Sequence, residues 1–96
     1  FIMGDMLELG QYAIQGHKRV GKAVAQADID RFYGVGTLTA YAIETAARAG
    51  LKAAYHFSTK SDLLAALKSD LKEGDTLLVK GSRGSRMEEI IEGLSQ

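Results

Sequence analysis

Short apolar runs alternate with longer stretches of helical periodicity four times along this chain, and that alternation predicts the architecture before any side chain is considered as chemistry. The apolar runs fall at residues 1–3, 31–35, 53–57 and 76–80, each rich in Val, Ile, Leu, Tyr or Phe and none broken by proline, so each is expected as a strand. The intervening segments carry helix signals. Met87, Ile90, Ile91 and Leu94 recur at one face of a turn-by-turn spiral, and Ser85 with Glu88 three residues later predicts a capping box at its start. Leu63, Leu64, Leu67 and Leu71 form a similar stripe, with Thr59 and Asp62 as the cap pair and Gly74 as the stop. Leu38, Ala42, Ala46 and Ala49 share a face of a helix ending at Gly50, its alanines small enough to let it lie close to the sheet. A helix over about residues 12–27 is expected to bury Ile14, Val20 and Val24 and to expose Lys18, Arg19 and Lys22, with Gly21 costing helix propensity. The sum is an α/β fold: a Rossmann-like, doubly wound, mostly parallel sheet of four βα units.

In such a sheet the loops after the strands gather along one rim, where ligands of open α/β folds bind. Four segments are therefore expected together: Gly4-Asp5-Met6-Leu7-Glu8-Leu9-Gly10, Gly34-Val35-Gly36-Thr37, Ser58-Thr59-Lys60-Ser61 and Gly81-Ser82-Arg83-Gly84-Ser85-Arg86.

Composition narrows what those loops can serve. At 96 residues there is room for one domain, and 46% hydrophobic with 25% charged residues is the balance of a soluble globular chain. Twelve basic residues offset twelve acidic ones, so no net field draws the chain to nucleic acid or to anionic lipid. The lack of cysteine removes disulfides, thiol nucleophiles and Cys-type zinc sites together. No apolar run approaches the length of a membrane span. The opening Phe1-Ile2-Met3 is already apolar, and reads as the start of a fragment from a longer protein.

Gly16-His17-Lys18-Arg19-Val20-Gly21-Lys22-Ala23 imitates a phosphate-binding P-loop, but Ala23 stands where a magnesium-binding hydroxyl is needed and the stretch lies inside a helix; an exposed basic helix face is the reading. Gly34-Val35-Gly36 follows a strand and opens a helix, yet Thr39 replaces the third glycine of a dinucleotide fingerprint and no acid ends the next strand, so a tight strand-to-helix turn is the better account. The segment from Lys80 to Arg86 is the most informative. A strand delivers Lys80 to the rim, Gly81 and Gly84 free the backbone to approach a ligand, the next helix offers its N-terminal amides to an anion, and Arg83 can grip a carboxylate through two parallel hydrogen bonds. The competing reading pairs Arg83 and Arg86 with Glu88, Glu89 or Glu92. Asp5 shares the rim, where it can cap backbone amides or contact a ligand. His17, near Ile14 and Val20, is expected as a core-flanking histidine bonded to backbone, and His56 as structural. Two distant histidines and no cysteine give no metal site.

Two stretches then carry a resemblance. Gly4-Asp5-Met6-Leu7-Glu8-Leu9-Gly10 with His17 and Val20-Gly21, and Leu78-Val79-Lys80-Gly81-Ser82-Arg83-Gly84 with Arg86-Met87-Glu88, resemble the C-terminal domain of the Mur ligase family, in its dipeptide-adding branch, the UDP-N-acetylmuramoyl-tripeptide:D-alanyl-D-alanine ligases (MurF). The similarity runs from Phe1 to about Leu94. It implies a three-domain cytoplasmic enzyme of peptidoglycan synthesis that uses ATP to phosphorylate the tripeptide carboxylate. The amine of D-alanyl-D-alanine then attacks the acyl phosphate, and phosphate leaves. The resemblance implies that this domain closes over ATP and the dipeptide, with Asp5, Lys80, Gly81, Ser82 and Arg83 as the binding candidates and no catalytic residue of its own. ATP and magnesium belong to the complete enzyme, whose central domain supplies P-loop and metal ligands and whose N-terminal domain holds the UDP group. This fragment alone is expected to bind no cofactor and to catalyse nothing. The family also places a strand and helix with an Asp-Asp-x-Tyr-Asn-Ala-Asn-Pro-like run before the position of Phe1. The sheet is thus expected to be truncated on its N-terminal side, its first strand left with an open edge that invites self-association. A rival reading from another class is a non-catalytic α/β module whose basic loop serves protein association.

Overall fold

The computed structural model describes residues 1–96. Four strands, β1 (Ile2–Met3), β2 (Phe32–Val35), β3 (Ala54–Phe57) and β4 (Val79–Lys80), form one parallel sheet in the order β3-β2-β1-β4. The helices are α1 (Ala13–Gln26), α2 (Thr39–Arg48), α3 (Lys60–Asp70) and α4 (Glu88–Leu94), with 3₁₀ segments at Leu7–Tyr12 and Arg83–Ser85. The expected α/β, doubly wound, four-unit fold is what forms.

Side-chain alternation along the inner strands builds two cores, one on each face of the sheet. Ile2, Tyr33 and Val35 point to α3 and α4, where they meet Leu63, Leu67, Met87 and Ile90. Met3 and Phe32 point to α1 and α2, where Met6, Val24, Ala42, Ile43 and Ala46 complete a second cluster. Both faces are covered, which is the condition for a parallel sheet with apolar strands. At the base of the sheet the Tyr33 hydroxyl donates to Asp70 Oδ2 at 2.6 Å and accepts from Arg31 at 3.3 Å, fastening the end of α3 to β2. Burial of the ring, and then its bond to Asp70, hold this phenol above its ordinary pKa against the opposing pull of Arg31.

Several expectations are corrected. β1 lies inside the sheet, with Ile2 paired to both Tyr33 and Val79, so the open edges belong to β3 and β4 and not to the first strand. The reason is topological: the crossover through α3 returns the chain past β1 to its far side. The last strand is shorter than residues 76–80: it spans Val79–Lys80, with Leu77 and Leu78 ahead of it 39% and 62% exposed. Ile14 is 43% exposed, since α1 turns His17, Gly21 and Val24 inward. Ala49 is exposed too. The small residues of α2 serve its contact with α1 as well as with the sheet: a Cβ on Gly21 would collide with the backbone carbonyl of Ala42. Thr59 caps α3 as expected, its hydroxyl accepting from the Asp62 amide at 3.1 Å. The capping box of Ser85 and Glu88 does not form. Ser85 Oγ donates instead to the Ser82 carbonyl at 2.7 Å, and α4 starts after a left-handed Arg86 (φ 52°) with no side-chain cap.

Candidate functional site at the sheet rim

From β1 the chain winds outward through β2 to β3, then returns to place β4 on the opposite side of β1, so winding reverses between β1 and β4. Crevices of doubly wound folds open at that reversal, beyond the carboxyl ends of the strands. The loops flanking it here carry Asp5 and Ser82. They emerge on the same rim and are bonded to each other: the Ser82 amide donates to the Asp5 carbonyl at 3.2 Å, Ser82 Oγ donates to the same carbonyl at 3.1 Å, and the Leu7 amide donates to Ser82 Oγ at 3.2 Å.

The Asp5 side chain binds a third loop. Its carboxylate accepts from the Thr39 amide at 2.8 Å, the Thr39 hydroxyl at 2.7 Å and the Leu38 amide at 3.3 Å, and so caps α2 from a distant point in the chain. Gly36 (φ 113°) passes so close that a Cβ there would meet the Asp5 carboxylate. Gly36 thus belongs to a tight strand-to-helix turn around an aspartate, whereas Gly34 lies within β2, where a Cβ would meet the Thr39 and Ile43 side chains of α2. His56 Nε2 lies 2.8 Å from the Gly36 carbonyl and secures the same turn from β3.

His17 is fully buried, with Nδ1 2.6 Å from the Ala13 carbonyl and Nε2 3.0 Å from the Met6 amide. The expectation of a backbone-bonded histidine holds. Its partner has no signature in residue spacing: Met6 belongs to the rim loop after β1.

The remaining candidates are free of such duties. Lys80 is registered with Met3, so its side chain leaves the sheet on the α1 and α2 face. Neither Lys80 nor Arg83 has a carboxylate within 4.0 Å; Arg86 does pair with Glu89, at 4.0 Å, and Lys60 meets the same residue at 3.4 Å. The competing reading of surface pairing therefore holds for Arg86 and not for Arg83. The Arg83 and Gly84 amides, at the start of the 3₁₀ turn, have no acceptor within the chain. The amides of α4 are less available than expected, because the helix is seven residues long and carries Glu88 and Glu89 in its first turn. Gly81 is exposed, but its small size also admits α4: a Cβ would lie 2.8 Å from Met87 Cγ and from Ser85 Oγ.

Leu7, Glu8, Ser82, Arg83 and Gly84 line an open groove of about 510 Å³ at this rim. A larger hollow, about 640 Å³, lies at the opposite rim between Phe1, Tyr33, Leu67, Asp70 and Leu78. We take the smaller as the candidate site, because it sits at the winding reversal and carries a cation with no internal partner. Chemically, an arginine and two unengaged amides suit a carboxylate or a phosphate; Lys80, at the end of β4, is not among the residues that line the groove. Nowhere do three His, Asp or Glu side chains come together to hold a metal ion.

Comparison with known proteins shows the family. The model of the family described as Mur ligase, glutamate ligase domain, matches residues 1–83. A UDP-N-acetylmuramoyl-tripeptide--D-alanyl-D-alanine ligase of Escherichia coli (strain K12) is 40% identical over 97 residues, covering 99% of this chain and 20% of the relative. The Bacillus subtilis (strain 168) protein of the same name is 39% identical over 94 residues, covering 97% and 21%. A crystal structure of MurF from Acinetobacter baumannii superimposes with a TM-score of 0.81 at 28% identity, over 97% of this chain and 21% of that one. The chain spans about a fifth of the length of these relatives. With a family model matched over residues 1–83 and relatives 39% and 40% identical across nearly the whole chain, the chain belongs to the Mur ligase family, through that family's glutamate ligase domain.

Proposed function

We propose that this chain serves as the domain of an ATP-dependent ligase that closes over ATP and D-alanyl-D-alanine while the dipeptide is joined to a UDP-N-acetylmuramoyl tripeptide in peptidoglycan precursor synthesis. The observation that carries the reading is the pair of unpartnered cations, Lys80 and Arg83, at the winding reversal of a chain in this family. Both substrates expose anionic groups that such a rim can hold: the dipeptide its carboxylate, ATP its phosphates.

In this reading Lys80 and Arg83 make the charged contacts. Ser82 fixes the loop that presents Arg83, and Gly81 lets that loop pass over α4. Asp5 acts from behind by locking the rim loops together. Closure would exclude water from an acyl phosphate, which hydrolysis would otherwise waste. Partner domains of the same enzyme would supply the remaining walls of the cleft, the UDP site and the magnesium ligands. The reading places the protein in the cytoplasm, where ATP and nucleotide-linked precursors are found, and no helix is long and apolar enough to cross a membrane.

Arg83→Ala in the complete ligase is expected to raise the KM for D-alanyl-D-alanine or for ATP. Losing a charged hydrogen bond costs about 1.5 to 3 kcal/mol, or roughly ten- to a hundredfold in affinity. Steady-state kinetics with each substrate varied in turn makes the check, and unchanged constants for both would remove Arg83 from the site.

A further inference from the structure

We infer that His17 is a positioning residue of the rim: its imidazole holds the loop after β1 in the one placement that lets Leu7 and Glu8 line the groove beside Arg83. The inference rests on reading that rim as a ligand site.

The imidazole is fully buried, where an aliphatic or aromatic side chain would pack without any polar demand. Both ring nitrogens are nonetheless matched to backbone. The Ala13 carbonyl, 2.6 Å from Nδ1, can only accept, so Nδ1 carries the proton. The Met6 amide, 3.0 Å from Nε2, can only donate, so Nε2 offers its lone pair. One neutral tautomer satisfies both partners. The result ties α1 to a loop eleven residues earlier in the chain.

The buried Met6 side chain and the half-buried Leu9 hold that loop to the core beside α1, but its outer side has few other holds. Leu7 is 52% exposed, and the 3₁₀ segment that follows is interrupted at Gly10 (φ 55°, ψ −125°). Inward of Leu7 the bonds run in series: the Met6 amide to His17, the Leu7 amide to Ser82 Oγ, Ser82 to the Asp5 carbonyl, and the Asp5 carboxylate to the start of α2. Without the Nε2 acceptor, the Met6 N–H would remain buried and unsatisfied. The simplest relief is for the loop to move outward until water reaches that amide. Leu7 and Glu8 would move with it, and the groove wall facing Arg83 would shift.

The test compares His17→Phe and His17→Asn, which lack an acceptor at the Nε2 position, with His17→Gln, whose amide oxygen can reach the Met6 N–H. In the complete ligase, hydrogen exchange of the peptide covering residues 4–9 is expected to speed up about tenfold in the Phe and Asn variants and to stay near wild type in the Gln variant. The KM for D-alanyl-D-alanine or ATP is expected to rise between about twofold and tenfold in the first two, with kcat less affected, and to recover with Gln. A purely structural histidine would lower the melting temperature in these variants while leaving exchange over 4–9 and both KM values unchanged, and that result overturns the inference. Should one variant fail to fold, the other supplies the same comparison. Arg83→Ala, measured in parallel, separates two failures. If it raises a KM and the His17 variants do not, His17 does not position the site. If it changes neither KM, the ligand reading of the rim fails, and exchange over residues 4–9 alone decides whether His17 anchors the loop.

Discussion

Replacing Asp5 by alanine is expected to destabilise the chain by roughly 3 to 4 kcal/mol, because one carboxylate accepts three hydrogen bonds at the start of α2. Two of those donors, the Thr39 amide and hydroxyl, belong to a fully buried residue that cannot turn to water. Asp5→Asn should retain part of this, since an amide oxygen still accepts but the charge beside the helix N-terminus is lost. Urea unfolding of the two variants against wild type makes the measurement. A loss below about 1 kcal/mol in Asp5→Ala would mean that solvent replaces the carboxylate, and that the aspartate does not organise the rim. The effect is expected to be large because the cap joins segments 33 and 34 residues apart. Its loss frees the loop after β1, one of the two loops that line the groove, from the start of α2.

The second large effect is expected at Gly21, where propensity and packing pull in opposite directions. In an isolated helix, glycine to alanine gains about 1 kcal/mol. In this fold Gly21→Ala should instead cost about 1 to 3 kcal/mol, because the added Cβ meets the Ala42 carbonyl, which is backbone and cannot rotate aside. Helices α1 and α2 would have to separate, opening the core formed by Val24, Ala42 and Ala46. Gly16→Ala in the same helix supplies the control, since a Cβ there meets only the flexible end of the Leu9 side chain. Thermal unfolding of the two variants should give changes of opposite sign, or at least a clear stabilising difference in favour of Gly16→Ala. Equal behaviour would show that α1 and α2 are not in close contact at Gly21.

These two sites mark the boundary between what the sequence disclosed and what it did not. The hydrophobic periodicity of α3, with Thr59 at its start, was legible because each signal is local: a stripe at turn spacing and a hydroxyl three residues ahead of an amide. Parallel strands separated by helical segments likewise dictated which loops share a rim, so the meeting of Asp5 with Ser82 could be anticipated. Strand order was not legible. Nothing in the run Phe1-Ile2-Met3 tells whether one neighbour or two will pair with it, and β1 proved to be an inner strand. The capping box at Ser85 failed for a related reason. Its spacing is right, but the Ser82 carbonyl lies within reach and takes the hydroxyl, leaving α4 to begin after Arg86. The aspartate cap on α2 and the bond from Met6 to His17 join segments distant in the chain, and such partners leave no trace in spacing. Lys80 and Arg83 were recognisable as candidates from their place after a strand and among glycines. Only the structure shows that Arg86 is paired with Glu89 while Arg83 is not.

Ligands of the complete ligase are expected to sit against the rim at the end of β4. Amine acetylation read by mass spectrometry tests it at Lys80, with Lys68 and Lys72 as controls near the opposite rim, where Lys72 lines the other hollow. With ATP and D-alanyl-D-alanine both saturating, labelling of Lys80 is expected to slow severalfold while the two control lysines react as before. Equal labelling of Lys80 with and without the substrates, in an enzyme shown to be turning over, would contradict the claim.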